Sequence, residues 1–250
     1  MAELFTPENL VALLTLTVLE LVLGVDNVIF LAIVTQDVAP EKRDRVRKIG
    51  LSLALIGRIV MVLGISWLLG LDETLFTLFG HAFSIKDVIL LSGGLFLTYK
   101  AVTEIYKATE LKEPEEGEQP AKPTPVGMAG VITQIVVVDM VFAIDSVLTA
   151  VGLTQETWII IVAMSIAIIS MMFYAGALAD FIEKHPSLKM LALSFLVLVG
   201  VLLIADAFGE ELDRNYVYFA ILFSLGVEAL NFRRQANLER QKATMGPTGL

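Results

Sequence analysis

Glu20-Leu-Val-Leu-Gly-Val-Asp26-Asn27 places two acids and an amide inside an otherwise apolar run from about Leu10 to Val34. A second stretch echoes it: Asp139-Met-Val-Phe-Ala-Ile-Asp145-Ser146. In each, an acid is followed six positions later by Asp and then by a small polar residue, and both acids of the first stretch recur 119 positions later. An acid near the centre of a spanning helix costs about 2.5–3.5 kcal/mol even on the lenient insertion scale, so it needs a partner or a task. Chance resemblance between apolar helices does not readily produce two such pairs with equal internal spacing.

The surrounding chain is membrane-like. Of its 250 residues, 56% are hydrophobic and 18% charged, and the mean hydropathy is +0.76; soluble domains use roughly 45–50% apolar residues. The net charge of -9 owes much to acids between 110 and 118, read as a solvated loop. Cysteine is absent and both histidines, His81 and His185, fall in expected connections. Any metal site must therefore rest mainly on oxygen ligands, which favours manganese, magnesium or calcium over zinc or copper. The N-terminus has no basic n-region and no small-residue cleavage site; Thr6 and Pro7 read instead as the N-cap and first residue of a helix.

A hydrocarbon core of about 30 Å needs roughly 20 apolar residues per helix. On that scale the expected spans are 7–34, 49–71, 85–106, 126–152, 156–182, 188–208 and 216–232, about seven in all. Lys and Arg concentrate in the connections after spans one, three and five and in the tail, which predicts an outside N-terminus and a cytoplasmic C-terminus. The Pro- and Glu-rich segment 111–125 reads as a flexible cytoplasmic linker. It separates a first three-helix repeat, 1–110, from a second, 126–210; residues 211–250 supply a seventh helix and a cytoplasmic tail. Ser52-Leu-Ala-Leu-Ile also resembles Ser165-Ile-Ala-Ile-Ile. An odd number of spans per half makes the repeats inverted, the plan of many secondary transporters, whose sites lie near the midplane where equivalent helices meet. The expected fold is thus an all-α polytopic membrane protein.

Helical geometry sharpens the site. At roughly 100° per residue, Glu20 and Asn27 share a face, as do Asp139 and Ser146, while Asp26 and Asp145 lie about 120° round. Gly24 is the expected hinge: local unwinding there would turn Glu20 and Asp26 toward one point and free carbonyls as ligands. The candidate metal ligands are Glu20, Asp26, Asn27, Asp139, Asp145 and Ser146. Four buried carboxylates need compensation; Arg58 and Lys100 supply supporting charge, leaving about two negative charges for a divalent cation to neutralise. The structural alternative pairs Arg58 with one acid to hold the bundle and lets Lys100 snorkel to the interface.

The two acidic stretches, Gly93-Gly94-Leu-Phe-Leu-Thr-Tyr-Lys100 and the final Phe-Ala-Ile-Leu-Phe-Ser-Leu-Gly-Val-Glu228-Ala-Leu-Asn231 resemble the TerC family of integral membrane proteins over nearly the whole chain. The resemblance implies a seven-helix inverted-repeat fold related to the LysE transporter superfamily, manganese export, and the family's intramembrane acids at Glu20, Asp26, Asp139 and Asp145. It also brings a link to tellurite resistance or membrane biogenesis. The resulting expectation is a secondary-type exporter of Mn²⁺ or a similar divalent cation in the cell's inner membrane, with the ion as substrate and no permanent cofactor. Its partners would be the ion and the bilayer, not nucleic acid. An enzyme is not expected: there is no Gly-x-x-x-x-Gly-Lys-[Ser/Thr] loop and no intramembrane-protease Gly-x-Gly-Asp motif. The rival is a scaffold or biogenesis factor whose ion pairs are purely structural. An amino-acid exporter is disfavoured, because a zwitterion needs a cationic subsite beside the acidic one.

Overall fold

The computed structural model describes residues 6–64, 70, 74–78, 81–110, 127–210 and 214–245. The expected linker at 111–125 lies outside the described residues. The chain opens with Pro7 as the first residue of α1 (Pro7–Leu23), and the Thr6 hydroxyl accepts from the Asn9 amide at 3.2 Å. The first span is then interrupted. Gly24 separates α1 from α2 (Val25–Val34), which ends in a 3-10 turn at Thr35–Asp37.

Gly24 is closely packed. A Cβ on Gly24 would lie 1.7 Å from Met171 Cε and 2.9 Å from the Glu20 carbonyl oxygen, so a side chain here would require the thioether end of Met171 to move aside. Beyond it, every residue of α2 from Asp26 to Val34 is buried, as expected for a helix apolar on nearly all sides.

α3 (Pro40–Leu63) follows. It starts nine residues before the expected span, because Lys42 to Lys48 form its first turns rather than a loop. Pro40 begins the helix, and Arg43 Nε folds back to donate to the Val38 carbonyl at 3.1 Å. A short antiparallel hairpin, β1 (Thr74–Leu78) and β2 (His81–Ser84), departs from the all-helical expectation. It leads into α4 (Ile85–Glu110) through a capping box: Ser84 N donates to Asp87 Oδ2 at 2.8 Å, and Asp87 N donates to Ser84 Oγ at 3.2 Å. The rest is α5 (Met128–Leu153), α6 (Thr157–Lys184), α7 (Pro186–Ala207) and α8 (Arg214–Met245).

Five segments are long and apolar enough to cross a membrane by length and composition: Pro7–Asp37, α4, α5, α6 and α7. α3 and α8 complete the set of seven, each joining an apolar half to a charged half. Large apolar side chains such as Leu14, Val60, Phe173 and Leu222 remain exposed on the outside of the bundle, the surface that lipid covers.

The main helix interfaces are α4 with α7, α3 with α5, and α1 and α2 with α6. Exchanging the first three spans for the second three maps this set of pairings onto itself. At the α4–α7 crossing small residues let the backbones meet: a Cβ on Gly200 would lie 2.3 Å from Thr98 Oγ1 and 3.0 Å from the Gly94 carbonyl. Gly200→Val is therefore expected to lower stability by about 1–3 kcal/mol through overpacking, read as a drop in thermal unfolding temperature in detergent. At Gly226 an added methyl would meet nothing within 4 Å among the described residues, so Gly226→Ala should unfold no earlier than wild type.

Candidate functional site: a buried guanidinium between two acidic motifs

The first motif arrives on the broken helix and the second on the unbroken α5, and they meet around a side chain from α3. Arg58 Nη1 donates to Glu20 Oε2 at 2.6 Å. Its Nε and Nη2 form a bidentate pair with Asp139, at 3.1 Å to Oδ2 and 3.0 Å to Oδ1, the geometry in which guanidinium binds carboxylate most strongly. Nη1 also reaches Ser146 Oγ at 3.3 Å, and Asn27 Nδ2 donates to Asp139 Oδ1 at 3.1 Å. Arg58 is 3% exposed, Glu20 1% and Asp139 6%. The acids at equivalent places in the two motifs thus share one cation, and the polar residue seven positions after each acid joins the same network.

A cavity of about 30 Å³ adjoins it, lined by Asp26, Asn27, Arg58, Ser146, Phe142 and residues of α7 and α8 including Val217. That is the volume of about one water molecule. Two acceptors in this region, Glu20 Oε1 and Asn27 Oδ1, are buried without a hydrogen-bond partner among the described residues. Buried polar atoms in that condition call for an explanation.

Asp26 lines the cavity although an unbroken helix would set it about 120° from Glu20. It sits in the first turn of α2, where the amide dipoles favour a negative side chain. Asp145 is the contrast. α5 runs straight through its motif, and Asp145 is half-buried and absent from the cavity lining. The Gly24 break frees no carbonyl at Glu20, whose oxygen still accepts from Gly24 N at 2.9 Å. Among the described residues, no three Asp, Glu or His side chains are grouped so as to hold a metal.

Lys100 lies elsewhere. Its Nζ contacts Asp37 at 2.6 Å and Glu104 at 3.3 Å, at the end of the first span. There it belongs to a second polar network that the sequence did not reveal. Arg43 bonds Glu183 at 2.7 Å, and the buried Arg47 reaches Thr35 Oγ1 at 3.3 Å, Asp44 at 3.0 Å and Asp180 at 3.8 Å. The turn 35–37 is thereby tied to α3 and α4, and α3 to α6. Arg43 and Arg47 belong to the basic cluster that carries the topology signal, and nothing in their spacing marks Arg47 as buried. Glu228, on α8, accepts from the Ser187 hydroxyl and not from the central network.

A model of the integral membrane protein TerC family matches residues 5–243. The chain belongs to the TerC family. It is similar to the UPF0053 inner membrane protein YgdQ of Escherichia coli K12, with 44% identity over 229 residues, covering 91% of this chain and 94% of that protein. A UPF0053 protein of Haemophilus influenzae is also 44% identical, over 227 residues, covering 91% of this chain and 94% of that protein. The inner membrane protein YoaE of Escherichia coli K12 is 39% identical over 248 residues, covering 98% of this chain but 47% of that longer relative. No solved structure matches.

In this TerC-family chain the central network is a stability element whatever else it does. Asp139→Ala would leave Arg58 with one carboxylate partner and deprive Asn27 Nδ2 of its acceptor. Breaking a buried pair from one side costs about 3–5 kcal/mol, so the variant should unfold at a clearly lower temperature than wild type in detergent, as measured by intrinsic fluorescence.

Proposed function

We propose that this protein is a secondary-type transporter that exports Mn²⁺, or a divalent cation of similar hardness, from the cytoplasm by alternating access. The observation that carries the reading is the convergence of both acidic motifs, one from each half of the chain, on one buried centre with a small polar cavity beside it. The donor set there is carboxylate, amide and hydroxyl oxygen, the chemistry of hard and borderline cations. The unsatisfied oxygens of Glu20 and Asn27 are acceptors awaiting a donor or a cation. The symmetric set of helix pairings supports two inverted repeats that move against each other around this centre.

The bidentate Arg58–Asp139 pair also favours a second reading, a membrane scaffold or biogenesis factor in which the ion pairs only hold the bundle together. Cells sensitised to manganese separate the two. Expression of wild type should lower total cell manganese, measured by mass spectrometry, and Asp26→Asn should return it to the empty-vector level with the protein still in the membrane. Export by Asp26→Asn equal to wild type would sink the transport assignment.

The relatives YgdQ and YoaE are inner membrane proteins, which supports the same placement for this chain. The basic residues Arg233 and Arg234 at the end of the apolar part of α8 favour a C-terminus in the cytoplasm. A fluorescent protein that matures only in the cytoplasm, fused after residue 250, should therefore fluoresce; a dark but full-length fusion would reverse the topology.

A further inference from the structure

We propose that Arg58 is a tethered stand-in for the transported cation: its guanidinium and the ion occupy the acidic centre in alternation, never together. This rests on the transport reading above. The guanidinium uses both oxygens of Asp139, one oxygen of Glu20 and the hydroxyl of Ser146, the same atoms that would ligate a divalent ion. Asp139 Oδ1 already accepts from both Arg58 Nη2 and Asn27 Nδ2, which takes up both its lone pairs. An ion that ligates this oxygen must therefore displace a donor, and a guanidinium repels a divalent cation at this range. The adjoining cavity of about 30 Å³ is of the size that holds ordered water beside the guanidinium.

Among the described residues no three acids are grouped so as to hold a metal; of the candidate acids, Glu20 and Asp139 are the two that Arg58 holds. An ion entering the cavity meets Asp26, the free oxygen of Asn27 and Ser146 first, and completes its shell only as Arg58 withdraws from Glu20 and Asp139. The arrangement gives the empty carrier a neutralised centre, so that no carboxylate pair stands uncompensated in the membrane when cargo is absent. It also makes metal binding an intramolecular competition, in which the apparent affinity is the intrinsic one reduced by the fraction of molecules whose guanidinium has moved aside.

The test is Mn²⁺ titration by isothermal calorimetry of the purified full chain in detergent, comparing wild type, Arg58→Gln and Arg58→Lys. Removing the competitor should tighten binding by at least about tenfold in Arg58→Gln. Arg58→Lys, a point charge that cannot hold Asp139 with two nitrogens, should fall between Arg58→Gln and wild type, and keeps the test open should the neutral variant not fold. Free methylguanidinium should weaken Mn²⁺ binding to Arg58→Gln and leave wild type unaffected. If wild type binds Mn²⁺ and the variants bind no more tightly, the competition is overturned and the transport reading stands. If neither wild type nor variants bind Mn²⁺, both fall.

Discussion

The rest of the bundle depends on the cost of holding charge in a low-dielectric interior. Glu20, Arg58 and Asp139 come from three helices, and each would be expensive alone. Together they are tolerable only if the helices hold them within hydrogen-bond distance, since a buried pair repays desolvation only with good geometry and satisfied lone pairs. α1, α3 and α5 are thereby fixed in register at one level, with the apolar contacts of Leu16, Val62 and Ile144 closing one cluster beside them. Apolar packing alone would let such helices slide or rotate, because lipid is as good a solvent for leucine as another helix is. The polar centre specifies the arrangement that the apolar residues then fill.

Much of this is legible in the sequence because acids in apolar helices carry strong information. The echo of Glu20–Asn27 in Asp139–Ser146 marks two distant segments with one pattern, and seven-residue spacing groups Glu20 with Asn27 and Asp139 with Ser146; all four residues meet in the network around Arg58. The break at Gly24 falls on the small residue between two acids. Depth and distance are not legible in the same way. Lys100 and Arg58 lie at similar depth in the sequence, with snorkelling to the interface open to Lys100, and only the helix positions assign Lys100 to Asp37. The first turns of α3 read as a loop because charge in a span is normally a boundary, whereas here Arg43 and Arg47 find carbonyl, hydroxyl and carboxylate partners on neighbouring elements. The strands β1 and β2 have too few residues for their alternation to stand out.

The two halves are alike in plan and unlike in chemistry. The alignment that sets Ser52 opposite Ser165 places Met171 opposite Arg58, six positions on in each case. Arg58 reaches from the second span to Asp139 of the fourth; Met171, from the fifth span, packs against Gly24 of the first. One half thus sends a cation into its partner's motif, and the other a thioether. The backbones of the two motifs differ as well. The helix facing Met171 breaks at Gly24 and brings Asp26 to the cavity, while the helix facing Arg58 stays straight and keeps Asp145 off the lining. One motif is thus interrupted at Gly24 and the other runs through a continuous helix.

That asymmetry identifies the element best placed to couple the centre to the membrane face. α2 is ten residues long, about 15 Å at 1.5 Å per residue. At one end it carries Asp26 and Asn27, and at the other it runs into the turn 35–37 that Arg47 and Lys100 hold. It is buried along its length but joined to α1 through a single residue that departs from ideal helical geometry, φ -85° and ψ -3°. A rod with a hinge at the acid centre and ion pairs at its far end can tilt only if both ends give way together. Displacement of Arg58 from Glu20 and Asp139 would loosen the first, and exposure of Asp37 to water would loosen the second, since ion pairs near solvent are worth little. The helix that presents Asp26 to the cavity thus runs directly into the polar turn at the far end of the first span.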